Sequence, residues 1–327
     1  MAIQRVLVVG GSGFIGRSLV ARLVDAGCKV RLPVRRALRA RPVAMLPGVE
    51  IVETDVLDRA ALAAQMQGVD AVINLVGILH SRPGQPYGPD FAKLHVDLPH
   101  QIVAAMQSVE GGPRRLLHVS ALGADSQGAS MYLRSKGDGE ALLRGETAVA
   151  GVALTVFRPS VVFGPGDRFL NLFAALARFA PALAIGGAQA RMQPVHVGDV
   201  TRALVHALDN TATHGQAYTL CGPKVYSLRE LVRLACAAGG KPRAVIGLPE
   251  GLARVQAWCL EHVPGGPLMS RDNLDSLRVD SIAPAGWSMA PELAMPPLTS
   301  VEQYLSGGLQ GQGTAAMFDH LRSRARR

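Results

Sequence analysis

Tyr132 and Lys136 stand at i and i+4 in Tyr132-Leu133-Arg134-Ser135-Lys136, so both side chains share one face if this segment is helical. A phenol beside an ammonium has its anion stabilised, which is what a general acid/base near neutral pH needs. Only five tyrosines and five lysines occur among 327 residues, so the spacing carries weight. A surface helix with an incidental Tyr and Lys is the bland alternative. A second pattern opens the chain, in VLVVGGSGFIGRSLV. Gly11, Gly13 and Gly16 fit GxGxxG, and Gly10, Gly13 and Gly16 fit GxxGxxG. The glycines follow an apolar strand and open an amphipathic helix, the context in which this turn binds a dinucleotide pyrophosphate. Gly10, Gly11, Ser12, Gly13, Phe14, Ile15 and Gly16 are the expected cradle, with the helix N-terminus offering free N–H groups to the anion.

The end of the second strand decides which dinucleotide is bound. An Asp or Glu there would hold a ribose 2′-hydroxyl. This chain instead reads RLPVRRALRAR, with Arg31, Arg35, Arg36, Arg39 and Arg41 and no acid before Glu50. Arg35 and Arg36 are expected to grip a 2′-phosphate with forked guanidinium groups, favouring NADP(H) over NAD(H), with Arg17 as a further contributor. A solvated basic loop is the competing reading. Asp55 and Val56 follow the third strand on the adenine side. Leu75, Val76 and Gly77 end the fourth strand, where small residues would let the cofactor pass.

Elements that position these residues alternate between strand and helix. Strands are expected at 6–9, 30–34, 49–52, 69–76, 115–119 and 153–157, and helices at 15–26, 60–66, 91–107 and 132–143. Such alternation implies βαβ units, hence an α/β fold: a Rossmann doubly wound parallel sheet with a smaller C-terminal substrate lobe. Residues 1–165 form the dinucleotide domain, completed by 192–222; residues 166–191 and 223–300 form the smaller lobe; 301–327 are a linker and a basic tail. Further helices are expected at 170–179, 200–208, 228–238 and 252–262, with Trp258 of the last expected in a core and a membrane or quinone surface as the competing reading.

Taken together, GGSGFIG, YxxxK and FRPSVVFGPGD resemble an extended-type short-chain dehydrogenase/reductase. GGSGFIGR, the basic second-strand end, HVSALGA, YLRSKGDGE and QPVHVGDV resemble its atypical branch, which contains the NAD(P)H-binding accessory subunit of respiratory complex I (the alpha-subcomplex subunit 9 type). The resemblance covers about residues 3–280. It implies Tyr132 as acid/base and Lys136 as its partner, which also holds the nicotinamide ribose. Ser120 is the candidate for the catalytic serine, although Leu122 falls where the active hydroxyl is expected. His95 stands where active members often carry asparagine, as a proton relay, on an apolar face or toward solvent. Pro159, in Arg158-Pro159-Ser160, resembles the segment that meets the nicotinamide; His196 and Asp199 resemble a positioning motif that serves the fold.

Three functions follow. The first is an NAD(P)(H)-binding oxidoreductase-like protein of the complex I branch, in respiratory-chain or quinone metabolism, with a quinone among its candidate small-molecule substrates. The second is a nucleotide-sugar epimerase, dehydratase or reductase, against which stands the short span from Ser120 to Tyr132. The third is a non-catalytic NADP(H)-sensing regulator. Composition narrows the partners. The chain carries 34 basic and 25 acidic residues, +9 formally, with 29 arginines against 5 lysines. No basic surface with interleaved aromatics accompanies that charge, so nucleic acid is not expected. Cys28, Cys221, Cys236 and Cys259 form no CxxC, so neither a metal site nor a disulfide scaffold is expected. The first strand begins too early for a signal peptide, and Arg178 and Pro181 interrupt the apolar run 169–190. The expected location is the cytoplasm. A respiratory-complex or inner-face membrane contact is reserved for the tail, where Arg322, Arg324, Arg326 and Arg327 follow apolar Ala315 to Phe318.

Overall fold

Seven β-branched-rich segments pair in parallel to make the central sheet. They are β1 (Arg5–Val9), β2 (Lys29–Val34), β3 (Val49–Glu53), β4 (Ala71–Asn74), β5 (Arg115–Val119), β6 (Ala153–Pro159) and β7 (Ala217–Leu220). The structure, a computed structural model, describes residues 3–263 and 267–306. Strand order is β3-β2-β1-β4-β5-β6-β7, so the winding reverses between β1 and β4. A ligand crevice forms beyond the carboxyl ends of the strands at such a reversal.

The helices are α1 (Phe14–Asp25), α2 (Arg59–Met66), a composite α3 (residues 89–108), α4 (Met131–Ala150), α5 (Phe169–Leu176), α6 (Val197–Leu208), α7 (Leu228–Ala238), α8 (Glu250–Glu261), α9 (Arg271–Ser276) and α10 (Val301–Leu305). Successive residues of β1 serve opposite faces of the sheet. Val6 and Val8 pack with Leu19 and Leu23 of α1 and Val200 and Leu204 of α6. Leu7 and Val9 pack with Met66 of α2, Ile102 of α3 and Leu143 of α4. Each such fully buried side chain contributes about 1.5–3 kcal/mol, so both faces are firmly closed. A separate core, including Leu170, Leu183, Leu231, Val232 and Val245, builds the second lobe.

Several elements differ from the sequence expectation. The helix expected at 91–107 is composite: it begins at Pro89–Phe91, passes through a π-helical turn at Ala92–Asp97, and continues as Leu98–Ser108. Such turns cluster at functional sites. Helix α4 runs on to Ala150 instead of stopping near 143, and ends at left-handed Gly151. Its interior glycines weaken the sequence signal, yet Gly139 is required, because a Cβ there would lie 1.9 Å from the His95 carbonyl oxygen. Residues 301–305, expected as linker, form α10 and bury Val301 and Leu305 in the second-lobe core. Trp258, expected in a core, is 53% exposed. The tail and its arginines lie outside the described residues. Among the described residues no helix is long and apolar enough to cross a membrane.

Candidate functional site

The glycine turn between β1 and α1 is shaped by packing. Gly10 has φ +86°, and a Cβ on it would lie 3.1 Å from the Val76 nitrogen. A Cβ on Gly11 would strike Leu32 at 2.4 Å, and one on Gly16 would strike the Gly11 Cα at 2.4 Å. Gly10 therefore allows the turn and its approach to β4, while Gly11 and Gly16 let strand and helix touch. Gly13 caps α1 without any side-chain hydrogen bond, so Phe14 and Ile15 open the helix with no side chain competing for their N–H groups. Ser12 lies half-buried beside them.

Across the crevice, Asn74 Oδ1 accepts the Val76 N–H at 3.1 Å and shapes the exit of β4. The Val76 carbonyl in turn accepts from Lys136 Nζ at 3.4 Å, as does the Val119 carbonyl at 3.3 Å. Lys136, 3% exposed, thus joins the ends of β4 and β5. A Cβ on Gly77 would sit 3.2 Å from its nitrogen, so Gly77 leaves room for the ammonium. Leu75 is half-buried beside this line.

Tyr132 shares the helical face with Lys136, but the expected electrostatic pairing is absent. Burial pushes the phenol up to about 12 and the ammonium down to about 8. The lowering of the phenol expected from sequence is thereby reversed. Burial alone raises the phenol, while the lysine directs its ammonium to two strand-end carbonyls.

His95, in the π-turn, is buried against both residues. Its ring stacks on Phe91 at 5.2 Å and meets the Tyr132 ring edge-on at 5.6 Å. Nε2 accepts the Ile78 N–H at 3.1 Å. Burial first, then Lys136 and His118, push its pKa down to about 2, so the ring is neutral and Nδ1 carries the proton. That proton goes to Ser135 Oγ at 2.8 Å, and Ser135 donates to the Tyr132 carbonyl at 2.9 Å. His95 is thus a fixed orienting group in a dry setting, away from solvent.

Ser120 continues β5 by donating its N–H to the Phe157 carbonyl at 2.8 Å. Its hydroxyl is buried without a hydrogen-bond partner among the described residues. Leu122 donates its N–H to the carbonyl of buried Pro159, at the end of β6, over 2.9 Å. Arg158 turns away from the crevice, with its Nε on Glu140 Oε2 at 2.9 Å, and so clamps β6 to α4. His118, fully buried, is met by Asn74 Nδ2 at 3.2 Å.

At the second strand end, Arg35 and Arg36 are exposed just beyond Val34. Arg31 does not join them. It lies inside β2 opposite Glu50, with Nε on Glu50 Oε2 at 2.8 Å, and so braces the sheet. The acid sequence reasoning missed is Glu53, which the register places opposite Val34. It accepts the Ala37 N–H at 2.6 Å and caps the 3-10 turn that follows Arg36. Arg17 folds back onto the Gly13 carbonyl at 3.3 Å. Asp55 accepts the Leu57 N–H at 3.1 Å, with Val56 half-buried between them.

His196 Nδ1 accepts the Gly198 N–H at 3.2 Å and caps α6, and buried Asp199 accepts the Thr299 N–H at 2.9 Å, so both serve the fold. Sequence reasoning also missed Asp272, which reaches from the second lobe to the first turn of α4. Two cavities, of about 320 and 360 Å³, lie at the amino ends of the strands around Arg5 and Lys29. Neither touches the glycine turn or Tyr132.

Comparisons with known proteins bear on this geometry. The profile of the "NAD dependent epimerase/dehydratase family" matches residues 6–221. NADH dehydrogenase (ubiquinone) 1 alpha subcomplex subunit 9, mitochondrial, of Mus musculus is 30% identical over 299 residues, covering 89% of this chain and 76% of that protein. A 3 beta-hydroxysteroid dehydrogenase/Delta 5-->4-isomerase of Mycobacterium tuberculosis is 24% identical, covering 98% of this chain and 93% of its own. The solved UDP-glucuronic acid 4-epimerase of Bacillus cereus superposes with a TM-score of 0.69 at 18% identity, covering 98% of this chain and 99% of that one, which shows the shared fold. With its strand order, its glycine turn and a profile match over more than half its length, this chain belongs to the NAD dependent epimerase/dehydratase family.

Proposed function

We propose that this protein is an NAD(P)(H)-dependent oxidoreductase in which Tyr132 exchanges a proton with a carbonyl or alcohol oxygen. The observation that carries the reading is a continuous line of contact. Gly10 abuts Val76, the Val76 carbonyl holds Lys136, and Lys136 shares a helical face with Tyr132. A dinucleotide seated on Gly10, Gly11, Ser12, Gly13, Phe14, Ile15 and Gly16 would pass Leu75, Val76 and Gly77 and reach Lys136. Pro159 would border its far end and Asp55 and Val56 its adenine side. The dinucleotide, when bound, supplies or accepts the hydride.

Tyr132 is protonated in this state, the form that can donate to an oxygen during carbonyl reduction, although a phenol raised to about 12 is a weaker acid than the reaction needs until its phenolate is stabilised. Lys136 would turn from its two carbonyls toward the ribose and steady the phenolate left behind. The exposed guanidinium groups of Arg35 and Arg36 support NADP(H) over NAD(H). The likeness to complex I subunit 9 supports a role in respiratory-chain or quinone metabolism, with a respiratory complex or membrane surface as partner and a quinone among the substrates.

The test is turnover of quinones, ketones and nucleotide sugars by wild type and Tyr132→Phe. The variant should lose about a hundredfold or more in kcat, the scale of general acid catalysis, while NADPH binding stays within about twofold. Full rate in the variant would refute the assignment. A non-catalytic, dinucleotide-binding reading is favoured by one observation: the Ser120 hydroxyl is buried and has no hydrogen-bond partner among the described residues, with Leu122 two residues beyond. NADPH binding with no turnover of any of these substrates would establish it.

A further inference from the structure

The first turn of α4 carries more support than a helix start needs, and much of it comes from the other lobe. Ser130 caps the helix in the ordinary way, accepting the Leu133 N–H at 3.1 Å. The two preceding N–H groups go elsewhere. Met131 donates to Asp272 Oδ1 at 2.6 Å and Tyr132 to Asp272 Oδ2 at 3.1 Å. Asp272 is 8% exposed and 140 residues further along the chain than Tyr132. A buried carboxylate is costly unless its oxygens are bonded, and here both are, at the positive end of a long helix. Ser276, one turn on, donates to Ser130 Oγ at 2.8 Å.

The same short helix reaches the opposite wall. Asn273 Nδ2 donates to the Leu79 carbonyl, beyond β4, at 3.2 Å. Helix α9 therefore spans the crevice from the β4 exit to the start of α4. It is fastened to α8 by Arg254–Asp275 at 2.9 Å and through Arg271–Glu261 at 3.1 Å. Tyr132 is consequently engaged by side chains at both backbone groups, at the N–H from outside its own helix and at the carbonyl by Ser135 of the same helix. Asp272 holds its N–H, and the His95–Ser135 pair holds its carbonyl.

We propose that Asp272 is a positioning residue for Tyr132, through which docking of the second lobe places the phenol over the crevice. The proposal rests on the reading of Tyr132 as the acid/base. It makes the proton-transfer geometry depend on the lobe that would receive the substrate, while the dinucleotide cradle, built wholly from the first lobe, stays independent of it.

The experiment compares wild type, Asp272→Ala, Asp272→Asn and the control Asp275→Asn, which removes a charge from the same helix on its α8 side. Three quantities are measured: amide exchange at Met131 and Tyr132, the NADPH dissociation constant, and kcat on a substrate whose turnover needs Tyr132. Hydrogen bonds to a charged group are worth enough that Asp272→Ala should speed exchange at both amides by about tenfold or more. It should lower kcat by a similar factor, with the NADPH constant within about twofold of wild type. Asp272→Asn, keeping one carbonyl acceptor, should fall between, and it carries the test if the alanine variant does not fold. Unchanged exchange, or faster exchange with unchanged kcat, overturns the proposal, as does an equal effect of Asp275→Asn. If wild type shows no Tyr132-dependent turnover, the reading of Tyr132 fails; exchange confined to these two amides then still decides whether Asp272 holds the turn.

Discussion

His95 and Ser135 are joined by a 2.8 Å hydrogen bond whose direction is fixed by a third group, the Ile78 N–H on the far side of the imidazole. The ring must stay neutral to keep both bonds, since a proton on Nε2 would face a donor. His118 is under the same constraint: burial first, then Lys136, push its pKa down to about 3.

Acid should therefore weaken the fold earlier than carboxylate titration would. Both histidines have folded pKa values below that of the unfolded chain, so the unfolded state takes up protons first as pH falls through about 6.5. Each histidine then removes about 2 kcal/mol of stability between pH 6.5 and 5, within the order of magnitude such shifts allow. Urea unfolding midpoints at pH 7 and pH 5 measure this, and His118→Gln should show a smaller drop than wild type. Equal drops in both proteins would contradict it.

Lys136 has the opposite window. Its folded pKa of about 8 lies below the unfolded value, so stability rises as pH goes from about 8 to about 10.5, where only the unfolded chain binds the proton. Below pH 8 the buried ammonium is a net cost. Lys136→Met should raise stability at pH 7 by about 1–3 kcal/mol, a gain that fades by pH 10, while abolishing turnover. Thermal melts across that range are the measurement, and a destabilised variant at pH 7 would disprove it.

Two glycines should answer alanine in opposite ways. Gly16→Ala pushes a methyl into the Gly11 backbone and should cost about 1–3 kcal/mol and at least about tenfold in dinucleotide affinity. Gly145, in α4, has nothing among the described residues within 4 Å of the place an added methyl would take, so Gly145→Ala should stabilise by about 0.5–1 kcal/mol. Chemical denaturation of the two variants side by side separates cradle packing from helix propensity.

Arg35→Ala/Arg36→Ala should weaken NADPH binding by about a hundredfold and leave NADH within about twofold, given the strength of guanidinium–phosphate pairs. Fluorescence titration with both nucleotides reads this directly. Equal affinities in the wild type would remove the case for a phosphate pocket, and Glu53 would then be the residue to examine for a ribose contact.

The local patterns were legible because their geometry is local. The glycine turn and the Tyr132–Lys136 spacing depend only on neighbours in sequence, and alternating strands and helices fix a doubly wound sheet. What was not legible depends on register or on distant chain. Arg31 could not be told from Arg35 until β2 was paired with β3 and Glu50 stood opposite it. Glu53 reaches the end of β2 by the same pairing. Asp272 has no local mark at all, lying in a short polar helix of the other lobe. Trp258 fits a buried amphipathic helix by type and spacing, yet α8 buries Ala253 and Ala257 and turns the tryptophan outward. The electrostatic inference failed for a related reason: sharing a helical face fixes where side chains start, and the carbonyls within reach decide where an ammonium ends.

The π-helical turn at Ala92–Asp97 has a consequence for how this protein can change. Such a turn holds one residue more than its α-helical counterpart. Deleting Lys93 or Leu94 would let the helix relax to ordinary winding and swing His95 about a quarter-turn or more around the axis, away from Ser135 and Ile78. A substitution there acts at its own position, whereas a change of length moves the residues around it as well. The residue count of this helix is itself part of the machinery.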